Sequence, residues 1–254
     1  MPNPFALTGR IAVVTGSSRG IGRAIAETMA DLGAKVVVSS RKADACEAVA
    51  AGIRARGGEA IVVPCNISQR SDVETLVRST LDRWGRIDAL VANAAVNPVY
   101  GPLAKLDDAA FDKIMSANVR STLWLANLVI PGMAERGGGS MTIVSSIAGL
   151  RGSQGLGGYA ISKAADFALA RQLAVEWGPK NVRVNCIAPG LVKTDFARAL
   201  WEDEALLQRR LERTPLRRIG QPHEIGGIAA FLASPAASFV TGEVIVADGG
   251  TTIA

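Results

Sequence analysis

Apolar and polar positions alternate between two rhythms along the chain. Short runs rich in Val, Ile and Ala lie at 11–15, 35–39, 60–63, 89–92, 141–145, 183–187 and 243–247. Most are apolar on both sides of the pleat, which predicts strands buried on both faces. Between them, apolar residues recur at helical spacing over 21–32, 43–56, 69–84, 108–135, 159–177, 197–212 and 224–233. Strand alternating with helix predicts βαβ units and a parallel sheet covered by helices on both faces. The expected class is α/β: a single doubly wound domain over 1–254 with a seven-stranded parallel sheet. No long linker or internal repeat interrupts it. Ligands of such sheets bind beyond the carboxyl ends of the strands, so candidate chemistry is sought there.

The first run leads into Thr15-Gly16-Ser17-Ser18-Arg19-Gly20-Ile21-Gly22 and then a helix. Gly16 permits a tight turn, Gly20 presents no side chain to a pyrophosphate, and Gly22 lets the helix pack closely on the strand. The helix N-terminus offers free N–H groups and partial positive charge to phosphates. The plainer reading is a glycine-rich turn with no ligand. Its position, after the first strand and opening a helix, favours a dinucleotide. The spacing is not G-x-G-x-x-G. It resembles the T-G-x-x-x-G-x-G turn of the short-chain dehydrogenase/reductase family. That resemblance runs along nearly the whole chain, apart from the first few residues and 195–218. It implies a Rossmann fold, a nicotinamide cofactor contacted by Gly16, Ser18, Arg19, Gly20, Ile21 and Gly22, and an oxidoreductase. Within the family the chain is similar to 3-oxoacyl-(acyl carrier protein) reductases and NADP-dependent ketone reductases.

The other strand ends refine the cofactor. NAD binding usually places a carboxylate after strand two; here the chain reads Ser39-Ser40-Arg41-Lys42, with no carboxylate before Asp44. A 2′-phosphate would be repelled by Asp and paired by Arg. Arg41, beside Ser40, suits this role, and Arg19 reaches from the glycine turn. NADP-preferring family members carry basic residues at these two positions. NADP(H) is therefore expected over NAD(H), against the plainer reading of two solvated arginines. Strand three ends in Cys65-Asn66-Ile67-Ser68. The family typically has Asp where Asn66 stands, accepting from the adenine amino group; an Asn oxygen also accepts. Strand four runs into Ala92-Asn93-Ala94-Ala95. This is similar to the family's N-N-A-G segment, with Ala92 and Ala95 replacing its first Asn and its Gly. Asn93 is expected to tie neighbouring strands together, a role that is structural as readily as functional. After strand six, Ala188-Pro189-Gly190-Leu191-Val192-Lys193-Thr194 matches the family's segment that cradles the nicotinamide. The resemblance gives Pro189, Gly190, Val192 and Thr194 that task and implies pro-S hydride transfer.

Strand five ends in Ser145-Ser146, and Tyr159-Ala160-Ile161-Ser162-Lys163 follows on a helix. Four residues apart, Tyr159 and Lys163 share one helical face. A tyrosine is a poor base at neutral pH, and a nearby ammonium favours its phenolate. Tyr159 can then exchange a proton with a substrate oxygen. The resemblance makes Tyr159 the acid/base and Lys163 its activator and ribose ligand. It gives Ser146 the orientation of the carbonyl, with Ser145 the competing candidate. It also implies that Asn118 holds a water relaying protons to the lysine, with Asn127 the decoy. Asn118 is a poor helix-interior residue. His223 is the sole histidine and is expected to be structural, which disfavours a Ser-His-Asp hydrolase.

Composition trims the alternatives. Forty-eight per cent hydrophobic and 20% charged residues describe a globular chain. Cys46, Cys65 and Cys186 are too scattered for a disulfide framework or metal site, and no metal is expected. No apolar leader opens the chain, and the uncharged stretch 225–242 holds Gly226, Gly227, Pro235 and Gly242. A cytoplasmic protein with no membrane span is expected. The net charge of +5 is dispersed. Its densest part, Arg209 to Arg218, is interleaved with acids and reads as a solvated helix face, so no nucleic-acid partner is expected. An acyl carrier protein meeting Arg136 and Lys180 is a weaker expectation. A substrate lid is expected at 195–215, with Leu200, Trp201, Leu206 and Leu207 as its apolar inner face. Its plainer reading is an amphipathic helix packed on the core. The family also implies a homotetramer. The competing functions are an NAD-dependent sugar or secondary-alcohol dehydrogenase and a non-enzymatic NADP(H)-binding regulator.

Overall fold

A computed structural model describes residues 3–152 and 154–254; Met1, Pro2 and Ser153 lie outside the described residues. Among the described residues, seven parallel strands form one sheet. They are β1 (Ile11–Thr15), β2 (Lys35–Ser39), β3 (Glu59–Val62), β4 (Ala89–Ala92), β5 (Gly139–Val144), β6 (Val182–Pro189) and β7 (Val244–Ala247). The helices are α1 (Gly20–Asp31), α2 (Ala43–Ala55), α3 (Arg70–Trp84), α4 (Asp108–Met115), α5 (Ser121–Glu135), α6 (Gly157–Trp177), α7 (Glu204–Leu211) and α8 (Pro222–Ala233). The strand order is β3-β2-β1-β4-β5-β6-β7. It reverses between β1 and β4, and the crevice at that reversal is where such folds bind ligands.

Alternation along each strand divides the core. Val13, Val37, Leu90 and Met141 pack with α3, α5 and α6 on one face. Ala12, Val14, Val36 and Val91 pack with α1, α2 and α8 on the other. Full burial of each Val, Ile or Leu contributes about 1.5–3 kcal/mol. Register keeps the layers aligned: Val13 stands opposite both Val37 and Leu90. The edge strands are exceptions to burial on both faces. Val246 of β7 is 41% exposed, because an edge strand has sheet on one side only.

Two helical expectations are corrected. The segment 108–135 is not one regular helix: a π turn at Ser116–Arg120 separates α4 from α5. The segment 197–212 is also split. A 3-10 turn, Asp195–Leu200, precedes α7, whose N-terminus is capped by Asp203 accepting from Leu206 N at 3.1 Å. Neither piece has a buried residue, and Leu206 is 44% exposed. The segment therefore stands off the core instead of packing on it as an amphipathic helix.

Candidate active site

The sheet gathers the predicted residues at the carboxyl ends of its strands. The turn after β1 is locked from behind. Asn93 Nδ2 donates to the Thr15 and Gly16 carbonyls at 2.9 and 3.2 Å, so Asn93 ties β1 to β4 as expected. A Cβ on Gly22 would stand 2.3 Å from the Gly16 carbonyl oxygen. Gly22 thus lets α1 pack on the turn itself, more than on the strand. Gly16 and Gly20 both have positive φ, +66° and +57°, which side-chain-bearing residues rarely adopt. Ser18 and Ile21 are half-buried beside them, and Arg19 is exposed. This cramped turn opening α1 fits a pyrophosphate.

The neighbouring ends continue the crevice. Ser40 is half-buried, its hydroxyl 3.1 Å from Cys46 Sγ, and Arg41 is exposed directly after it. Asn66 Oδ1 already accepts from Ser68 N at 3.2 Å, closing a turn before α3; one lone pair remains for an adenine. Ile67 is buried and Ala95 half-buried. Burial, reinforced by Asp72, pushes the Cys65 thiol up to about 12, so it is inert. Pro189 ends β6 and Val192 follows it, both buried. Gly190 is also required by packing: a Cβ there would meet Asp248 Cα at 2.7 Å. The Thr194 hydroxyl accepts from Ala197 N at 3.3 Å and caps the 3-10 turn.

Ser145 and Ser146 separate cleanly. Ser145 is buried and donates to the Lys163 carbonyl at 2.8 Å. Ser146 is half-buried and accepts from Ala148 N at 3.1 Å, so its own proton remains to be donated. On α6, Tyr159 lies in the first turn. The Lys163 ammonium stands 5.7 Å from its ring centroid. Lys163 Nζ donates to the Val144 carbonyl at 3.0 Å and to Asp166 Oδ2 at 3.1 Å. Asn118 sits inside the π turn, 2% exposed. Its Oδ1 accepts from Val96 N at 2.8 Å, and its Nδ2 donates to the Val96 carbonyl and to Ser162 Oγ, both at 3.0 Å. Both amide protons are therefore spent on the protein.

Three further residues join the site. Ser162 donates to the Tyr159 carbonyl at 2.7 Å and links it to Asn118. Asp166 is 0% exposed and pairs with Lys163. Phe196 places its ring 6.1 Å from that of Tyr159. An acid three residues past the lysine shares its helical face, a spacing that marks Asp166 only once Lys163 is known to face inward. Phe196 carried no signal, because only the chain reversal after β6 brings it near. His223 lies exposed at the start of α8, beside Gly20 and Thr194, and makes no side-chain hydrogen bond to Ser146. Arg136 and Lys180 lie just before the amino ends of β5 and β6, whereas Ser146 follows a carboxyl end. No group of His, Cys, Asp and Glu suited to a metal occurs among the described residues. No described helix is long and apolar enough to cross a membrane.

Comparison with known proteins bears on this geometry. A family model described as enoyl-(acyl carrier protein) reductase matches residues 16–252. Dehydrogenase/reductase SDR family member 4 of Oryctolagus cuniculus is 44% identical over 96% of this chain and 94% of its own. The chain belongs to the short-chain dehydrogenase/reductase family. The human short-chain dehydrogenase/reductase family member 4 is 42% identical, over 96% of this chain and 88% of its own. Among solved structures, a 7 alpha-hydroxysteroid dehydrogenase complexed with NADH and 7-oxo glycochenodeoxycholic acid superposes with a TM-score of 0.94. It is 38% identical and covers 98% of each chain. A gluconate 5-dehydrogenase from Burkholderia cenocepacia in complex with NADP and tartrate also scores 0.94, at 32% identity, covering 99% of this chain and 98% of that one. As a short-chain dehydrogenase/reductase the chain is an oxidoreductase acting between CH–OH and C=O. These two structural relatives hold different coenzymes, NADH in one and NADP in the other. The special similarity to 3-oxoacyl-(acyl carrier protein) reductases has looser support: the family model's description names an enoyl reductase of the carrier protein, and the relatives described above name other activities or none.

Proposed function

We propose that this protein is an NADP(H)-dependent reductase of ketones, working in reverse on secondary alcohols. The reading is supported by the Lys163 ammonium standing 5.7 Å from the Tyr159 ring, with the hydroxyl proton of Ser146, at the end of β5, left free for a substrate. When bound, the nicotinamide supplies the hydride to the carbonyl carbon or takes it back. Ser146 donates a hydrogen bond to the carbonyl oxygen and fixes its direction. Tyr159 gives that oxygen its proton as negative charge develops there. The Lys163 ammonium favours the phenolate left on Tyr159 and holds a ribose hydroxyl. Asn118 aligns Ser162, and through it the first turn of α6.

The coenzyme choice follows from charge. Exposed Arg41 and Arg19 flank the adenosine end, and no acid stands directly after β2. A 2′-phosphate is paired there, whereas an NAD ribose meets no carboxylate. The segment 195–215 serves as the substrate lid: most of it is exposed, and it carries Phe196 against Tyr159. Subunits associate through α5 and α6, where Leu123, Ile161 and Val175 are exposed; a tetramer in the cytoplasm is the expected form. An acyl carrier protein is disfavoured as a partner at Arg136 and Lys180, which lie at the wrong end of the sheet.

A panel of ketones and 3-oxoacyl thioesters, followed by the loss of NADPH absorbance, tests the reading. Turnover with NADPH and not with NADH supports it. Equal turnover with both transfers the protein to the NAD-dependent dehydrogenases. Coenzyme binding without any turnover transfers it to the regulators.

A further inference from the structure

Asp166 lies three residues beyond Lys163 on α6 and is completely enclosed, 0% exposed against 3% for Lys163. Charged residues are seldom this deep unless paired. Two of the three ammonium protons of Lys163 go to Asp166 Oδ2 and the Val144 carbonyl. The third remains for the side on which Tyr159 stands. Asp166 Oδ1 has no hydrogen-bond partner. A buried ion pair with an idle oxygen stabilises a fold less than apolar side chains of similar size. Folding alone therefore does not account for an acid at this position.

We propose that Asp166 is a positioning residue: its carboxylate anchors the Lys163 ammonium from the core side, so that Lys163 remains cationic beside Tyr159 and keeps one N–H for a nicotinamide ribose. The inference rests on the dehydrogenase reading above. Burial by itself opposes a charge on Lys163; the Asp166 carboxylate leads the groups that oppose burial, with Tyr159 and Cys186 adding to it, and together they hold Lys163 above the ordinary lysine range. Burial raises the Asp166 carboxyl too, with Lys163 opposing that rise. The other groups facing the pair are Tyr159 on the same helix, Ser145 after β5 and Cys186 of β6, with Arg171 beyond Cys186. Ser145 donates to the Lys163 carbonyl, and burial keeps the Cys186 thiol protonated. Asp166 is thus the sole carboxylate paired with this ammonium among the described residues.

The test reads the phenolate directly. The chain has two tyrosines, Tyr100 and Tyr159. In a Tyr100→Phe background the ultraviolet phenolate band reports Tyr159 alone. Asp166→Asn is expected to raise the pH at which that band appears by about one unit, a tenfold change in the equilibrium, because an unpaired buried lysine loses its charge. Asp166→Leu, which keeps the volume without a polar atom, is expected to move it the same way. Circular dichroism and thermal melting establish that each variant is folded. A midpoint that stays or falls overturns the assignment, since Lys163 would then be charged and in place without Asp166. Failure of both variants to fold makes Asp166 a structural residue and overturns it equally. The titration requires no turnover. An inactive wild type would refute the dehydrogenase reading while leaving this measurement intact.

Discussion

Arg19 in the glycine turn and Asp195 at the head of the segment after β6 form an ion pair, Nη1 to Oδ2, of 3.5 Å. Both side chains are exposed, 69% and 50%, so the pair contributes only about 0–1 kcal/mol to stability. Its effect is competitive. Asp195 also holds Arg198 at 3.0 Å, which keeps the carboxylate where an incoming phosphate needs Arg19. Asp195→Ala is expected to tighten NADPH binding about two- to fivefold, equivalent to at most about 1 kcal/mol. NADH binding should not change. Fluorescence titration with both coenzymes checks this; identical NADPH affinities would show that Arg19 is not a phosphate ligand.

Arg41 should carry more of the discrimination. A charge-assisted hydrogen bond to phosphate is worth about 1.5–3 kcal/mol. Arg41→Ala is therefore expected to weaken NADPH about 10- to 100-fold and to leave NADH within a factor of about two. An unchanged ratio of the two dissociation constants would refute the NADP(H) preference.

The adjacent serines should fail in different ways. Ser146→Ala is expected to lower kcat by about 10²-fold or more with little effect on melting, since it removes a donor to the developing oxyanion. Ser145→Ala removes a buried hydrogen bond to the Lys163 carbonyl, which keeps its partner within α6, and should cost about 0.5–1.5 kcal/mol in urea unfolding. Tyr159→Phe should bind NADPH normally and lose about 10²- to 10⁴-fold in turnover. Full activity in Tyr159→Phe would remove the proposed chemistry.

Acid sensitivity should trace partly to the start of α8. Arg218 grips Glu224 with both guanidinium nitrogens at 2.8 and 2.6 Å, and Gln221 N donates to the same carboxylate at 2.7 Å. Arg218, first, and the Gln221 amide hold the Glu224 carboxyl down at about 2. A lowered folded-state value adds stability above the ordinary glutamate range, and that stability drains as pH falls toward 2. Glu224→Gln should therefore melt a few degrees below wild type at pH 7, with the gap closing in acid. Calorimetry across this range measures it, and a gap independent of pH would contradict the assignment.

Much of this architecture was legible because its signals are local. Seven apolar runs, a glycine turn and a Tyr-Lys pair on one helical face each announce themselves within a short window. The bulge at Asn118 does not, because what holds it lies elsewhere: Val96 after β4 and Ser162 on α6. The Asp166 partnership escaped for a related reason. Helix α6 is apolar around much of its circumference, so periodicity cannot say which polar residue faces inward. The packing requirement on Gly190 was not legible, since Asp248 is far away in sequence. The segment 195–211 misled because its leucines fall at helical spacing although no core lies beneath them.

The brace that Asn93 provides has a kinetic consequence. With Thr15 and Gly16 held by its amide and α1 pressed against the turn through Gly22, the phosphate cradle is pre-organised before any coenzyme arrives. Little ordering entropy is then lost there on association. The loss falls on the exposed 195–211 stretch instead. If 195–215 serves as the proposed lid, coenzyme capture would be governed by collision and charge attraction at a finished surface, and residence time by the opening of that stretch. Substitutions around Asn93 should accordingly slow capture, and substitutions in the stretch should change release.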